Sequence, residues 1–165
     1  MAVTAFIYAK FFISALNKEL DLVGATDDAV ASLHTSTYTP NQDTHDYWDD
    51  ATNEISGTGY SSPGQSLTGE TFTSTLNVIT WDSTDPSWTT ATFTARRAVY
   101  YVNTAGATST DPLICWVDFG ADEVVAAGTF TIVQHASGIL TITPTDATGF
   151  PFLSRSPRRP NRLSA

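Results

Sequence analysis

SWTTATFTARRAVYYVN, residues 87–103, changes side-chain character at nearly every step. Ala91, Phe93, Ala95, Arg97, Val99 and Tyr101 fall on one side of an extended chain, and Thr92, Thr94, Arg96, Ala98, Tyr100 and Val102 on the other. A period of two is the signature of a β-strand, and β-branched and aromatic residues suit its pleated surface. From Ala98 onward both sides are apolar, which predicts a long strand whose second half is covered on both faces. Arg96 and Arg97 inside such a strand need partners, because a guanidinium taken from water without one is costly. The acidic residues of the 43–54 stretch, Asp46, Asp49 and Asp50 among them, are the expected suppliers.

The flanking segments repeat the pattern. Residues 66–81, SLTGETFTSTLNVITW, alternate Phe72 and Leu76 with Thr71, Thr73 and Thr75 and continue to Trp81; residues 82–87, with Pro86, form a turn. Downstream of the loop NTAGATSTDP, PLICWVDFG reads as a buried strand and ADEVVAAG as a connection. GTFTIVQH and GILTITPT read as two strands joined at Ala136-Ser137-Gly138. Upstream, from Asp28, Ala29, Ala31 and Leu33 alternate with Val30, Ser32 and His34, which makes His34 a half-exposed strand residue. Residues 5–22 break the rule. Phe6, Ala9, Phe12, Ile13, Leu16 and Leu20 recur at helical spacing, with Lys10, Asn17 and Lys18 mostly opposite and Gly24 placed to end the helix. The apolar stripe predicts packing on a sheet or on a neighbouring subunit. Together these readings make a mainly β fold, an antiparallel two-sheet β-sandwich of jelly-roll or Ig-like type with one N-terminal helix.

The 165 residues fit one domain, taken as 1–150 including the helix, followed by an extended arm over 151–165. Only 15% of the chain is charged, below the roughly 25% usual for soluble domains, and Thr and Ser supply the missing polarity. All 17 acidic residues lie before residue 151, against the four cations Lys10, Lys18, Arg96 and Arg97. Arg155, Arg158, Arg159 and Arg162 crowd the Pro-rich arm PFLSRSPRRPNRLSA and mark it as a candidate partner contact. An acidic body disfavours nucleic acid and anionic membrane. No segment reaches the roughly 18 apolar residues of a membrane span, and the N-terminus lacks the basic region and cleavage site of a signal peptide. The lone Cys115, in the apolar run LICWV, is expected as a small buried hydrophobe.

Residues 33–60, LHTSTYTPNQDTHDYWDDATNEISGTGY, start as a strand and become a loop too aromatic for a solvated linker. Tyr38, Tyr47, Trp48 and Tyr60 are large amphipathic rings of the kind that anchor interfaces, and they are the expected subunit or partner contacts. The carboxylates around them admit other chemistry. DTHDYWDD offers oxygen ligands for Ca²⁺ but lacks EF-hand spacing, so Asp side chains capping turns and pairing with Arg are expected and no cofactor is required. A glycosidase pair could be drawn from Asp43, Asp46, Asp49, Asp50 and Glu54, although sequence does not set their separation. His34, His45 and His135 accompany no nucleophile-elbow motif, and Gly57-Thr58-Gly59 lacks the helix and Lys of a phosphate loop. An enzyme is not expected.

AKFFISALNKELDL, the 33–60 stretch, TARRAVYYVNT, PLICWVDFG and GTFTIVQHASGILTIT resemble a family of small structural proteins of tailed-bacteriophage virions, of the capsid-decoration or minor-capsid kind. The resemblance spans residues 5–143 and rests chiefly on TSTYTPNQDTHDYWDD and NEISGTGY. It brings no catalytic residues and does not distinguish head from tail. What it implies is a non-enzymatic decoration or cement protein on the capsid surface, self-associating as a symmetric oligomer such as a trimer and binding the major capsid protein or other virion proteins. The alternative is a tail, neck or fibre component with a carbohydrate- or receptor-binding surface.

Overall fold

The computed structural model describes residues 2–20, 22 and 28–144. Gly24 and the arm at 151–165, with Arg155, Arg158, Arg159 and Arg162, lie outside the described residues. Within them the chain forms β1 (Thr4–Ile7), α1 (Ala9–Asn17), β2 (Asp28–His34), β3 (Gln65–Ser66), β4 (Thr71–Thr75), β5 (Val78–Asp82), β6 (Ser87–Asn103), β7 (Leu113–Thr131) and β8 (Leu140–Ile142). Short 3₁₀ turns occupy Trp48–Asp50 and Thr108–Thr110. The strands make two antiparallel sheets in a sandwich-like arrangement, ordered β1-β7-β6-β2-β3 and β4-β5-β8.

One core lies between the sheets, where Trp81 and Leu140 of the smaller sheet meet Leu33, Phe93, Tyr100 and Ile114 of the larger. A second cluster occupies the opposite face of the larger sheet, where Val30, Val99, Tyr101 and Trp116 are covered by Tyr8, Tyr38 and Trp48. The expected two-sided burial of the second half of β6 is therefore observed: Ala98 through Val102 are all buried. Its cover on the second face is the 35–51 loop rather than another sheet.

The alternation read along residues 87–103 does not run through unbroken. Ala91, Phe93 and Ala95 enter the first core, but so do Ala98, Tyr100 and Val102, whereas Val99 and Tyr101 join the second. The switch occurs at a β-bulge, where the pairing jumps from Ala95↔Glu123 to Arg97↔Asp118. An irregularity of this kind re-aims every following side chain, because facing has a period of two.

Three further expectations change. Residues 66–81 are not one strand: Leu76 and Asn77, both at positive φ (51° and 64°), turn the chain between β4 and β5. ADEVVAAG is not a connection but the middle of β7, held in register by pairs such as Thr94↔Val124. The helix is shorter than 5–22, since residues 4–7 pair with β7 from Thr4↔Asp118 to Ile7↔Cys115. Backbone bonds to a waiting sheet outweigh the weak helical preference of so short a segment. The helix ends at Asn17 as Lys18 turns left-handed (φ 60°) and the Glu19 N–H donates to the Ser14 carbonyl at 2.9 Å. Cys115 is buried and unpaired as expected, and burial pushes its thiol up to about 12.

Arg96 and Arg97 find a carboxylate, but not in the loop. Arg96 Nε donates to Asp118 Oδ1 at 2.7 Å and Arg97 Nη2 reaches Oδ2 at 3.1 Å, with Asp122 at 4.0 Å from Arg96. Arg97 also donates to the Tyr38 carbonyl at 2.6 Å and the Ser36 carbonyl at 3.2 Å, so the loop supplies backbone oxygens where Asp46, Asp49 and Asp50 were expected. The cross-strand pairing of Arg97 with Asp118 is what places this acceptor. Burial alone would raise the Asp118 pKa, but bonds from Arg96 and the Gly120 N–H, with both guanidinium charges, hold it below the ordinary carboxylate value. A carboxyl depressed on folding contributes stability above its unfolded pKa, about 3.9, and that contribution is lost as pH falls below it. Asp118→Asn is expected to cost about 2 kcal/mol at neutral pH, with a matching flattening of stability against pH below about 4, read by urea melts. A loss smaller than about 0.5 kcal/mol would assign the pair to the solvated surface class.

Candidate functional site

The aromatic loop turns inward. Tyr38, Trp48 and Tyr60 are 1%, 8% and 9% exposed, so none presents a ring to solvent. Trp48 stacks on Tyr101 with centroids 4.3 Å apart and meets His34 edge-on at 5.4 Å. Its backbone N–H donates to the Asp111 carbonyl at 2.9 Å, while the Leu113 backbone N–H donates to the Asp46 carbonyl at 2.8 Å, fastening the loop to the start of β7. Tyr60 donates to Glu54 at 2.6 Å and accepts from the Leu33 N–H at 3.1 Å. The expectation that these three rings anchor a partner is thus corrected: Tyr38 and Trp48 supply the apolar cover of the face of the larger sheet that the smaller sheet does not reach, and Tyr60 packs in the core between the sheets against Trp88 and Phe93. Only Tyr47 keeps partial exposure, its hydroxyl donating to Glu19 at 3.3 Å.

The polar groups beneath the loop form closed chains. The His45 Nδ1 accepts from the Asn41 N–H at 3.4 Å and therefore from the Tyr38 hydroxyl at 3.1 Å, which in turn accepts from Tyr8 at 2.8 Å. Burial is the main reason that Tyr38 is pushed up to about 12. His34 is fully buried, not half-exposed, because the loop closes over its face of β2. Its Nδ1 donates to the Thr52 carbonyl at 2.8 Å, which leaves Nε2 an acceptor 3.0 Å from the Ser32 hydroxyl, whose single hydrogen is shared between it and the Val99 carbonyl at 3.1 Å. This Ser–His pair has the reach of a nucleophile and base, but Ser32 is also fully buried and a backbone carbonyl stands where an orienting carboxylate would be. It is a satisfied core contact.

Of the loop carboxylates, Asp46 and Asp50 lie side by side. Asp46 is raised by burial and by its neighbour Asp50, which accepts from the Asp46 N–H at 3.0 Å. Glu54 is taken up by Tyr60 and Ser62. Among the described residues no group of three or more His, Cys, Asp or Glu side chains is placed to hold a metal ion. Excess chelator is expected to leave the melting temperature unchanged; a fall of several degrees would restore Ca²⁺ to the loop.

The exposed apolar surface lies instead on the N-terminal segment. Phe12, Ile13 and Leu16 are 42%, 53% and 84% exposed, and at spacings of three and four they share one helix face. The periodicity read from the sequence is present, but Phe11 and Ser14 face the protein and the predicted stripe faces out. Val3 and Phe6, also exposed, precede it on β1, where Phe6 stacks on Trp116 at 5.1 Å. Beside β1 an apolar groove of about 610 Å³ opens between the two sheets, floored by Cys115, Val117, Phe119 and Phe130 and walled on its far side by Ile139 and Leu140. No part of this groove was foreseen, since its lining comes from strands far apart in sequence.

No protein-family model, curated protein or solved structure matches this chain. No helix among the described residues is long and apolar enough to cross a membrane.

Proposed function

We propose that this chain is a non-enzymatic structural protein of a tailed-phage virion, a capsid decoration or cement protein that docks on the major capsid lattice and associates with copies of itself. The observation that carries this reading is the outward apolar face of α1. A helix that turns Phe12, Ile13 and Leu16 to water while burying Phe11 costs free energy unless something covers that face, and clustered exposed apolar side chains mark interaction sites. Helix-in-groove docking uses anchors three and four residues apart, and the pairs Ile13–Leu16 and Phe12–Leu16 have those spacings. Symmetry would multiply modest contacts into firm attachment. The resemblance to virion proteins supplies the kind of partner. The alternative, a tail or fibre component binding glycans, needs aromatic faces in solvent, and among the loop rings it is left with Tyr47.

The test uses the full chain and mature heads that lack it. Saturable binding is expected, weakened at least tenfold by Ile13→Asp with Leu16→Asp, while the melting temperature moves little because both side chains are already in water. A protein that remains monomeric and does not bind heads refutes the proposal. Labelling the chain in intact particles then separates head from neck and fibre.

A further inference from the structure

The make-up of the apolar face of α1 indicates which partner fits it. Ala9, Phe12, Ile13 and Leu16 recur at spacings of three and four and are all exposed, while Phe11 and Ser14 on the opposite side are buried. Resting on the docking role given to this face above, we propose that its partner is the same face of a second copy of the chain, the two helices lying antiparallel about a two-fold axis.

Fit, charge and area select this occupant. A two-fold contact uses one patch twice, so the patch must complement itself. With the axis midway between Phe12 and Ile13, Phe12 of one copy meets Ile13 of the other, and Leu16 meets Ala9. Leu16, at 84%, is more exposed than Phe12 or Ile13, and the smallest residue of the face stands opposite to receive it. Parallel helices would instead set Leu16 against Leu16 and be held apart at that end. Charge agrees. Before residue 151 the chain carries 17 carboxylates against four cations, so two copies repel over most of their surface. Residues 2–18 hold no carboxylate, and their two cations, Lys10 and Lys18, lie off the four-residue seam. Acidic copies can therefore meet on this segment with little repulsion. Area sets the strength. Phe12, Ile13 and Leu16, with Val3 and Phe6 of the β1 that leads into the helix, leave on the order of 500 Å² of side chain in water, so pairing removes roughly 1,000 Å² in all, the lower limit for a specific interface. Such a contact is weak in free solution and gains where a lattice holds neighbours close. The weaker head attachment expected of Ile13→Asp with Leu16→Asp then measures lost bivalency.

The test uses the full chain without heads. Sedimentation equilibrium into the high micromolar range is expected to show a mass rising from one chain to two. Ile13→Asp with Leu16→Asp should raise the dissociation constant about tenfold or more, with the melting temperature little changed. Oxidative cross-linking reads the orientation: Ala9→Cys protein mixed with Leu16→Cys protein should give a disulfide-linked heterodimer, and Leu16→Cys protein alone should not link to itself. A chain that stays monomeric at every concentration overturns the proposal, as does a mass of three chains, a dimer indifferent to the two Asp substitutions, or self-linking of Leu16→Cys. A monomer that still binds heads leaves the capsid role standing and overturns only the pairing; a dimer that passes these tests but ignores heads upholds the pairing and removes the capsid role.

Discussion

Trp48→Ala is expected to lower stability by about 3–5 kcal/mol, a fall of roughly 6–20 °C in melting temperature for a chain of this size. The indole is packed between Tyr101 and His34, and its removal leaves a void that neither ring can fill without giving up its own contacts. The loss should extend beyond one side chain, because Trp48 is the central element by which residues 35–51 cover the outer face of β2 and β6. Capsid attachment, in contrast, should survive at temperatures where the variant remains folded. The opposite outcome, a melting temperature within about 2 °C of the parent and attachment lost, would return the ring to the interface role suggested by its loop.

The second large effect is acid sensitivity centred on His34. Burial holds its folded-state pKa down at about 4, although the bond to the Thr52 carbonyl works in the other direction. The unfolded imidazole titrates near 6.5, so between those values the unfolded chain binds the extra proton and the folded chain does not. Stability is therefore fully present above about pH 6.5 and declines toward pH 4, by about 3 kcal/mol for this one group. The window separates it from Asp118, whose contribution is lost only below the unfolded carboxylate pKa. Imidazole ¹⁵N shifts should show His34 neutral with the proton on Nδ1 at pH 5.5. A His34 that titrates near 6.5 in the folded protein would mean that the loop does not seal β2.

Much of the chain could be read locally. Strand positions in β2, β6 and the apolar start of β7, the two-sided cover of β6, the turn at residues 136–138 and the burial of Cys115 all follow from side-chain type and spacing over short stretches. So does the periodicity of α1. The candidate site was legible only in part: the helix stripe was visible as a possible subunit contact, whereas the aromatic loop was assigned the outward role that the helix takes.

The sequence by itself determined a mainly β chain with one amphipathic helix and an acidic body, because these depend on period, propensity and composition. Tertiary structure alone decided which apolar face meets water. Tyr38, Trp48 and Tyr60 are chemically suited either to an interface or to a core; the outer face of β6, which the smaller sheet does not cover, draws Tyr38 and Trp48 inward, and the core between the sheets takes Tyr60. The partner of Arg96 and Arg97 was likewise set by strand register, since a bulge of a few residues brings Asp118 of β7 beside them and leaves the nearer-seeming loop carboxylates aside. Facing, register and cover are properties of pairs of segments, and a single segment carries no record of its mate.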